Sequence, residues 1–201
     1  VTAITENGWL HGANMVFKSK KNSGDYHGQM NADIFQKWFV EMILPNVPKK
    51  SLIILDNASY HKTLAPTSTP TNSSKKADIR LWLEANKVPC ADDCLKAELI
   101  ELLKKLAPEP TYLIDELASQ QGHEVLRTPP YHPELQPIEL CWGVIKNHVA
   151  RNSNFTMSNL LHQLEQAFEK VTANTCSKTI KKIKKNEEAF WIEDAKLDSD
   201  E

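Results

Sequence analysis

The chain has 201 residues, of which 25% are charged, and its formal net charge is −2 at pH 7. That length suits one domain with a full core, and the slight negative charge is unlike a stand-alone nucleic-acid-binding module, which needs a basic surplus. Four cysteines are too few for a disulfide scaffold and suit a reducing compartment. No stretch predicts a transmembrane helix or a signal peptide.

The first predicted elements are a β-hairpin and an amphipathic helix. Val1–Thr5 and Trp9–Phe17 flank a Glu6-Asn7-Gly8 turn, which is typical of a hairpin. A basic loop follows, and Asn31 is then positioned to cap a helix that ends near two prolines. The lysines of the loop are Lys18, Lys20 and Lys21. The apolar face of the helix carries Ile34, Phe35, Trp38, Phe39, Met42 and Ile43.

A strand with a polar end comes next. Leu52–Leu55 is a run of four apolar residues, which predicts a strand buried on both faces. Asp56 follows directly, at the strand end where open α/β sheets collect their binding residues. Two interpretations stay open for Asp56, a metal or substrate ligand and a carboxylate that only caps a turn.

The middle of the chain predicts three helices and a second strand. The helices cover about residues 75–86, 94–106 and 111–121, with Gly122 ending the third. In the second helix we expect Leu95, Leu99, Leu102, Leu103 and Leu106 to point inward. Residues 123–127 read as a short strand that leads into a segment rich in proline.

That segment leads into a further helix. Pro137 suits the first turn of a helix, where a missing N–H costs nothing, and Glu139 falls in the same turn, where the helix dipole favours an anion. Glu139, Gly143 and Lys146 share one face of this helix. The apolar stripe of the helix consists of Ile138, Cys141, Trp142, Ile145 and Val149.

The C-terminal quarter of the chain predicts helices. Thr156 or Ser158 is positioned to cap the first of them. Five lysines follow in the next segment, and both a DNA-backbone contact and an ordinary solvated helix face fit that cluster. They are Lys178, Lys181, Lys182, Lys184 and Lys185. We expect the acidic residues 194–201 to be frayed.

Two long motifs, in this order, carry a resemblance to a known family. Leu55-Asp56-Asn57-Ala58-Ser59-Tyr60-His61 and the segment from Pro129-Pro130-Tyr131-His132 to Pro137-Ile138-Glu139, with the lead-in Gly24–Asn31, resemble the catalytic domain of mariner-like transposases. These enzymes are DDE superfamily endonucleases with a ribonuclease-H-like fold. The family usually has Asn where this chain has Gln136, which is a poorer helix cap.

The resemblance implies a fold class and a domain division. The expected fold is α/β, a ribonuclease-H-like mixed sheet flanked by helices. Residues 1–151 would form the catalytic domain, with a helical insertion at about 75–122 between the second and third acids, and 152–201 a helical extension with an acidic tail. The family's first strand lies upstream of the strand that corresponds to Val1–Thr5. We therefore expect a chain truncated at its N-terminus, poorly stable and without its first catalytic acid.

The resemblance also implies the site. Asp56 would be the second acid and Glu139 the third, and both would bind Mg²⁺, with Mn²⁺ as a substitute. The expected DNA contacts are His61, Lys62, Arg127 and Lys146. The expected partners are transposon-end and target DNA and, in the full-length form, a second copy of the chain; no membrane is expected, and the expected location is the nucleus.

Three functional interpretations remain open. The first is a transposase core that cuts and joins DNA, with little or no activity in this fragment because the first acid is missing. The second is an inactive or domesticated domain that binds DNA or protein without cutting. The third, which the paired motifs disfavour, is an unrelated metal-dependent hydrolase of similar fold.

Overall fold

The computed structural model describes residues 1–16 and 30–199, and their fold is mixed α/β and largely helical. The three lysines of the basic loop, and residues 24–29 of the motif lead-in, lie outside these ranges. No helix in the described ranges is both long enough and apolar enough to cross a membrane.

The predicted N-terminal hairpin is confirmed, but its turn is one residue shorter than predicted and each of its strands has only two residues. Strands β1 (Ile4–Thr5) and β2 (Gly8–Trp9) pair antiparallel. The turn therefore consists of Glu6 and Asn7, and Gly8 begins the second strand with φ +117°. Because L side chains rarely adopt that φ, glycine is required at this position.

The predicted cap of the first helix is also confirmed. Helix α1 (Ala32–Trp38) begins after Asn31, whose side-chain oxygen accepts a hydrogen bond from the Ile34 N–H at 2.9 Å. The chain continues as a π-helical segment, Phe39–Ile43. The buried residues of this continuous stretch are Phe35, Trp38, Phe39 and Ile43.

A second sheet consists of two parallel strands, β3 (Leu52–Leu55) and β4 (Glu124–Arg127). The prediction that the first of these strands is buried on both faces is wrong. Leu52 is 54% exposed and Ile54 is 51% exposed, whereas Ile53 and Leu55 pack against the core beneath. The open face has no element of the described chain laid flat across it, which is why two large aliphatic side chains remain accessible.

Three helices connect these parallel strands, as predicted. They are α2 (Lys76–Ala85), α3 (Lys96–Leu106) and α4 (Leu113–Gln120), and Gly122, with φ +79°, follows the last of them. Helices α2 and α3 pack against each other through a cluster of their own. The buried members of that cluster are Ile79, Leu83, Leu99 and Leu103.

Two of the leucines predicted to point inward from α3 are exposed instead. Leu95 precedes the helix and Leu106 is its last residue. The buried residues that α3 contributes to its cluster with α2 lie in the middle of the helix, and Leu95 and Leu106 lie outside that cluster.

The last three helices form one packed group. Helix α5 (Pro137–Asn152) packs against both α6 (Met157–Lys170) and α7 (Ala173–Ser199). Thr156 caps α6 by accepting a hydrogen bond from the Asn159 N–H, as predicted. Helix α7 continues through Ser199, whereas the sequence predicted a frayed end there. The shared core of this group contains Cys141, Ile145, Ala167, Val171 and Cys176.

The expected single mixed sheet is not present in the described residues. The strands form two separate two-stranded sheets, one antiparallel and one parallel. A groove of about 590 Å³ lies between β1 and β3, and its walls come from both sheets. The two sheets therefore lie on opposite sides of a shared groove.

Candidate active site

Asp56 lies immediately after β3, at the position that the sequence predicted. Its Oδ1 accepts a hydrogen bond from the Ala58 N–H at 2.8 Å, so the turn-capping role that the sequence left open is present. The Asp56 side chain is nevertheless 43% exposed. The carboxylate therefore shapes its own turn and also reaches solvent at the end of the strand.

The second contact of Asp56 is an imidazole. His61 Nδ1 lies 2.8 Å from Asp56 Oδ1 and 3.1 Å from the backbone oxygen of the same residue. An ionised carboxylate and a carbonyl only accept hydrogen bonds, so Nδ1 is the nitrogen that carries the proton. The ring is 6% exposed and packs against Phe35, with a centroid separation of 4.1 Å. His61 is thus held by the core and in turn holds the Asp56 carboxylate.

Tyr60, beside this histidine, is affected by the same carboxylate. Partial burial raises the pKa of the Tyr60 hydroxyl above its usual value, and the negative charge of Asp56 raises it further. The phenol is therefore neutral throughout the physiological range, and it packs against Phe35 as a core residue.

Thr128 connects the Asp56 turn to the segment that leads to Glu139. Its N–H donates to the Leu55 oxygen at 2.9 Å, and its own backbone oxygen accepts a hydrogen bond from the Asn57 side-chain amide. Its hydroxyl accepts a hydrogen bond from Gln136 Nε2 at 3.2 Å. The residue before Asp56, the residue after it and the cap position of α5 are therefore joined through one buried threonine.

Glu139 lies in the first turn of α5, as predicted from Pro137 at the helix start. Gln136 occupies the cap position, but its side chain makes no capping hydrogen bond and reaches to Thr128 instead. Gln136 therefore makes a tertiary contact instead of capping its own helix. The Glu139 side chain is exposed at the positive end of the helix dipole.

The groove between the two sheets brings the Asp56 turn and the start of α5 together. Its lining includes Asp56 on one side and Gln136, Pro137 and Ile138 on the other, so Glu139 follows directly after the last of these residues. Glu139 itself is not among the residues that line the groove. The remaining walls are mostly apolar and come mainly from β1, β3 and the π-helical segment, and Ile180 and Lys184 of α7 also line the groove.

Two of the four expected DNA contacts already bind other parts of the protein. His61 is buried against Phe35, as described above. The Arg127 guanidinium donates two hydrogen bonds to the Asp115 carboxylate, at 2.7 and 2.8 Å, and lies 4.5 Å from the ring centroid of Tyr112. These partners lie in α4 or just before it, so Arg127 fastens β4 to that helix.

The other two expected contacts, Lys62 and Lys146, are accessible to solvent. Lys62 follows the Asp56 turn and is partly exposed, and Lys146 is exposed on α5, seven residues after Glu139. Within the described ranges, neither ammonium group forms an ion pair.

Sequence reasoning missed the residues that organise the site. Thr128 carries no signal of its role in the sequence, because its contacts are with Leu55, Asn57 and Gln136. Asp115 was not recognised as the partner of Arg127, because only the packing of α4 on β4 brings the two side chains together. The one local signal for this arrangement is Asn57, directly beside Asp56, whose side-chain amide donates the hydrogen bond to Thr128.

Comparison with known protein families identifies the class of this protein. The family model described as "DDE superfamily endonuclease" matches residues 9–161, which is more than half of the chain. The chain therefore belongs to the DDE superfamily endonuclease family, whose substrate is DNA. No curated protein and no solved structure matches it. The matched range contains β3, Asp56, β4 and Glu139, and it ends within α6.

Proposed function

We propose that this chain is the catalytic domain of a mariner-like transposase with a ribonuclease-H-like fold. In this proposal it cuts and joins DNA phosphodiesters, and Asp56 and Glu139 are two of its acids. One observation carries the proposal: Asp56 and the first residues of α5 line a single groove, and Glu139 is the next residue of that helix in the sequence. Membership of a family that acts on DNA supports the same chemistry.

The donor set fits a divalent metal ion in part. Asp56 and Glu139 offer carboxylate oxygens, the ligands that Mg²⁺ prefers, and Mn²⁺ takes similar ones. In residues 1–16 and 30–199, however, no group of three His, Cys, Asp or Glu side chains could hold a metal ion. When bound, the metal supplies an acidified water and neutralises charge on the attacking and leaving oxygens.

The missing ligand, in this proposal, is an aspartate on a strand that occupies the groove. Two features support that placement. The groove separates two sheets that one added strand would join, and Leu52 and Ile54 present a free edge and an uncovered apolar face to it. A strand seated there would run beside β3 and could end near Asp56. Without an acid at that position, we expect the chain to cut DNA weakly or not at all.

The other residues of the site have distinct roles in the proposal. His61 orients the Asp56 carboxylate, and Thr128 keeps the Asp56 turn and the start of α5 together. Of the four residues expected to contact DNA, Lys62 and Lys146 are accessible to DNA phosphates, whereas His61 and Arg127 act within the protein. Dimerisation of the full-length protein and nuclear location are further parts of the proposal.

A nicking assay on supercoiled plasmid DNA, with Mg²⁺ or Mn²⁺, tests the proposal. The chain would be compared with N-terminally extended forms in which a hairpin turn and one apolar strand precede Val1. The added strand carries an aspartate, and a matched form carries asparagine at the same position. Within the active form, Asp56→Asn and Glu139→Gln should each reduce nicking by at least 100-fold. Glu101→Gln, on the exposed side of α3, is the matched control and should retain full activity.

The outcomes separate the two functional candidates. Nicking only by the aspartate form, lost with either acid, supports the endonuclease. If the aspartate form folds and binds DNA without nicking it, the second candidate is favoured, a domain that binds without cutting. The observation behind that candidate is that the described chain contains no group of three residues that could hold a metal ion. Nicking that survives Glu139→Gln contradicts the assignment of the acids.

A further inference from the structure

Helix α7 carries its charges in two blocks. Five lysines and no carboxylate occur between Ala173 and Asn186, and acidic residues begin only at Glu187. The first half of the helix is therefore strongly basic. The whole helix lies beyond the range 9–161 that matches the family model.

Four of these lysines form one exposed row, which we call the lysine stripe. They are Lys178, Lys181, Lys182 and Lys185. Their spacing of three, four and seven residues places them on the same face of the helix, where like charges repel. In the described part of the chain none of the four forms an ion pair; the fifth lysine, Lys184, lies off the stripe and pairs with Glu6 at 3.3 Å. The four charges of the stripe are therefore not paired within the part of the chain that the structure describes.

The opposite face of α7 is anchored to the rest of the molecule. Cys176 and Ile183 are buried there, and Asn186 Nδ2 donates to the Glu134 oxygen at 3.4 Å. Buried residues thus lie opposite the stripe, so the lysines point away from the body on a helix whose backbone is held in place. From Lys178 to Lys185 the helix rises by roughly 10 Å, at about 1.5 Å per residue.

We propose that the lysine stripe binds the phosphate backbone of a DNA duplex, outside the candidate active site. A DNA strand advances by about 3.4 Å per phosphate, so a stripe of roughly 10 Å spans three or four phosphates. This inference rests on the proposed function, because the family's DNA substrate is what selects a nucleic acid among polyanions. The lysine stripe would be a second contact surface for DNA, and it would bind DNA whether or not the candidate active site is able to cut it.

The test measures binding of the whole chain to a fluorescent 30-base-pair duplex by anisotropy, in EDTA, from 50 to 200 mM NaCl. One variant changes all four stripe lysines to glutamine. The control variant changes four other exposed lysines, Lys49, Lys87, Lys104 and Lys105, and so has the same net charge. We expect the stripe variant to bind at least 10-fold more weakly at 100 mM NaCl. Its log Kd against log salt should also lose about 3 units of slope, at about 0.9 per phosphate contact.

The control variant should remain within twofold of the unchanged chain, and circular dichroism should show all forms equally helical. Equal weakening in both variants would overturn the proposal. Failure of the unchanged chain to bind the duplex, with the protein in up to 10-fold molar excess over DNA, would also overturn it. So would tighter binding to phosphatidylserine vesicles than to the duplex at equal salt, which would assign the stripe to a membrane surface.

The same assay distinguishes this proposal from the proposed catalytic function. The binding assay contains EDTA, so it does not depend on metal-assisted cutting. If the stripe variant loses binding as expected while no form nicks DNA, the catalytic proposal fails alone. If the stripe variant binds normally while the acids prove essential for nicking, the stripe proposal fails alone.

Discussion

The two faces of the parallel sheet differ sharply although the same two strands form both. On one face Ile53, Leu55 and Val125 pack against the core that contains α1 and α4. On the other face Leu52, Ile54 and Leu126 each leave more than half of the side chain exposed. Hydrophobicity along a strand therefore shows that both faces can be buried, but it does not show which face the rest of the chain covers.

The energetic difference between these faces is substantial. Full burial of a large aliphatic side chain contributes about 1.5–3 kcal/mol, so three half-exposed residues forgo on the order of 3 kcal/mol. Whole domains are stable by only about 5–15 kcal/mol. A segment that covered the open face would thus stabilise the fold appreciably.

The largest loss of stability should come from a substitution in the core beneath the packed face of the sheet. Phe39, in the π-helical segment, is fully buried in the core beneath the sheet. Phe39→Ala should lower the free energy of unfolding by about 3–5 kcal/mol, because it removes a large side chain and leaves a cavity. Urea denaturation at pH 7 measures this value. A loss below about 1 kcal/mol would mean that this face is as open as the other.

Breaking the ion pair at the end of β4 should give the second largest loss of stability. Arg127 and Asp115 pair with 14% and 31% of their side chains exposed, so solvent screens the pair only in part. Arg127→Gln should destabilise the protein by about 2–3 kcal/mol, because a carboxylate is left without its partner. Lys105→Gln, an exposed residue on α3, is the charge control and should cost less than about 0.5 kcal/mol. Equal losses for the two variants, in thermal or urea melts, would contradict the structural role of Arg127.

Adjacent residues of β3 give the most closely matched comparison. Ile53→Ala should cost about 2 kcal/mol, whereas Ile54→Ala should cost less than about 1 kcal/mol, because only the first side chain leaves a hole in packed surroundings. The two substitutions remove the same atoms from the same strand. If their urea midpoints shift equally, the two faces of the sheet are equally covered.

The smallest effect concerns thiols, and it extends the comparison to the core between α5 and α7. Cys141 and Cys176 are buried there, and burial together with the neighbouring thiol raises the pKa of Cys176 to about 12. Cys90 and Cys94 are partly exposed. A thiol reagent should label two cysteines per folded chain from pH 7 to 9 and four in urea. Rapid labelling of all four in the folded chain would show that this core is open too.

Local chemistry made much of this fold predictable. The caps at Asn31 and Thr156 and the glycine stop at Gly122 depend on neighbours within a few residues, and all three are confirmed. The position of Asp56 after a strand and of Glu139 in a first helical turn followed in the same way. Their proposed catalytic roles remain predictions.

What could not be predicted depends on distant parts of the chain. The split into two sheets, the exposure of Ile54 and the outward position of Leu106 all depend on which elements pack together. The use of Gln136 to reach Thr128, instead of capping its own helix, depends on a contact between segments that no periodicity reveals.

The central claim is that β3 has an open edge on the groove, and amide hydrogen exchange measured by NMR tests it most directly. The backbone oxygens of Ser51 and Leu55 accept hydrogen bonds from Glu124 and Thr128. Because successive residues of a strand direct their polar backbone groups to opposite edges, the N–H groups of Ile53 and Leu55 face β4 and that of Ile54 faces the groove.

The account predicts that Ile54 exchanges at least 100-fold faster than Ile53 in this chain. It also predicts that Ile54 becomes protected when the extended form supplies a strand for the groove. Equal protection of the Ile53 and Ile54 amides from exchange in the unextended chain would contradict an open edge of β3. It would also contradict the proposed position of the remaining acid on a strand in the groove.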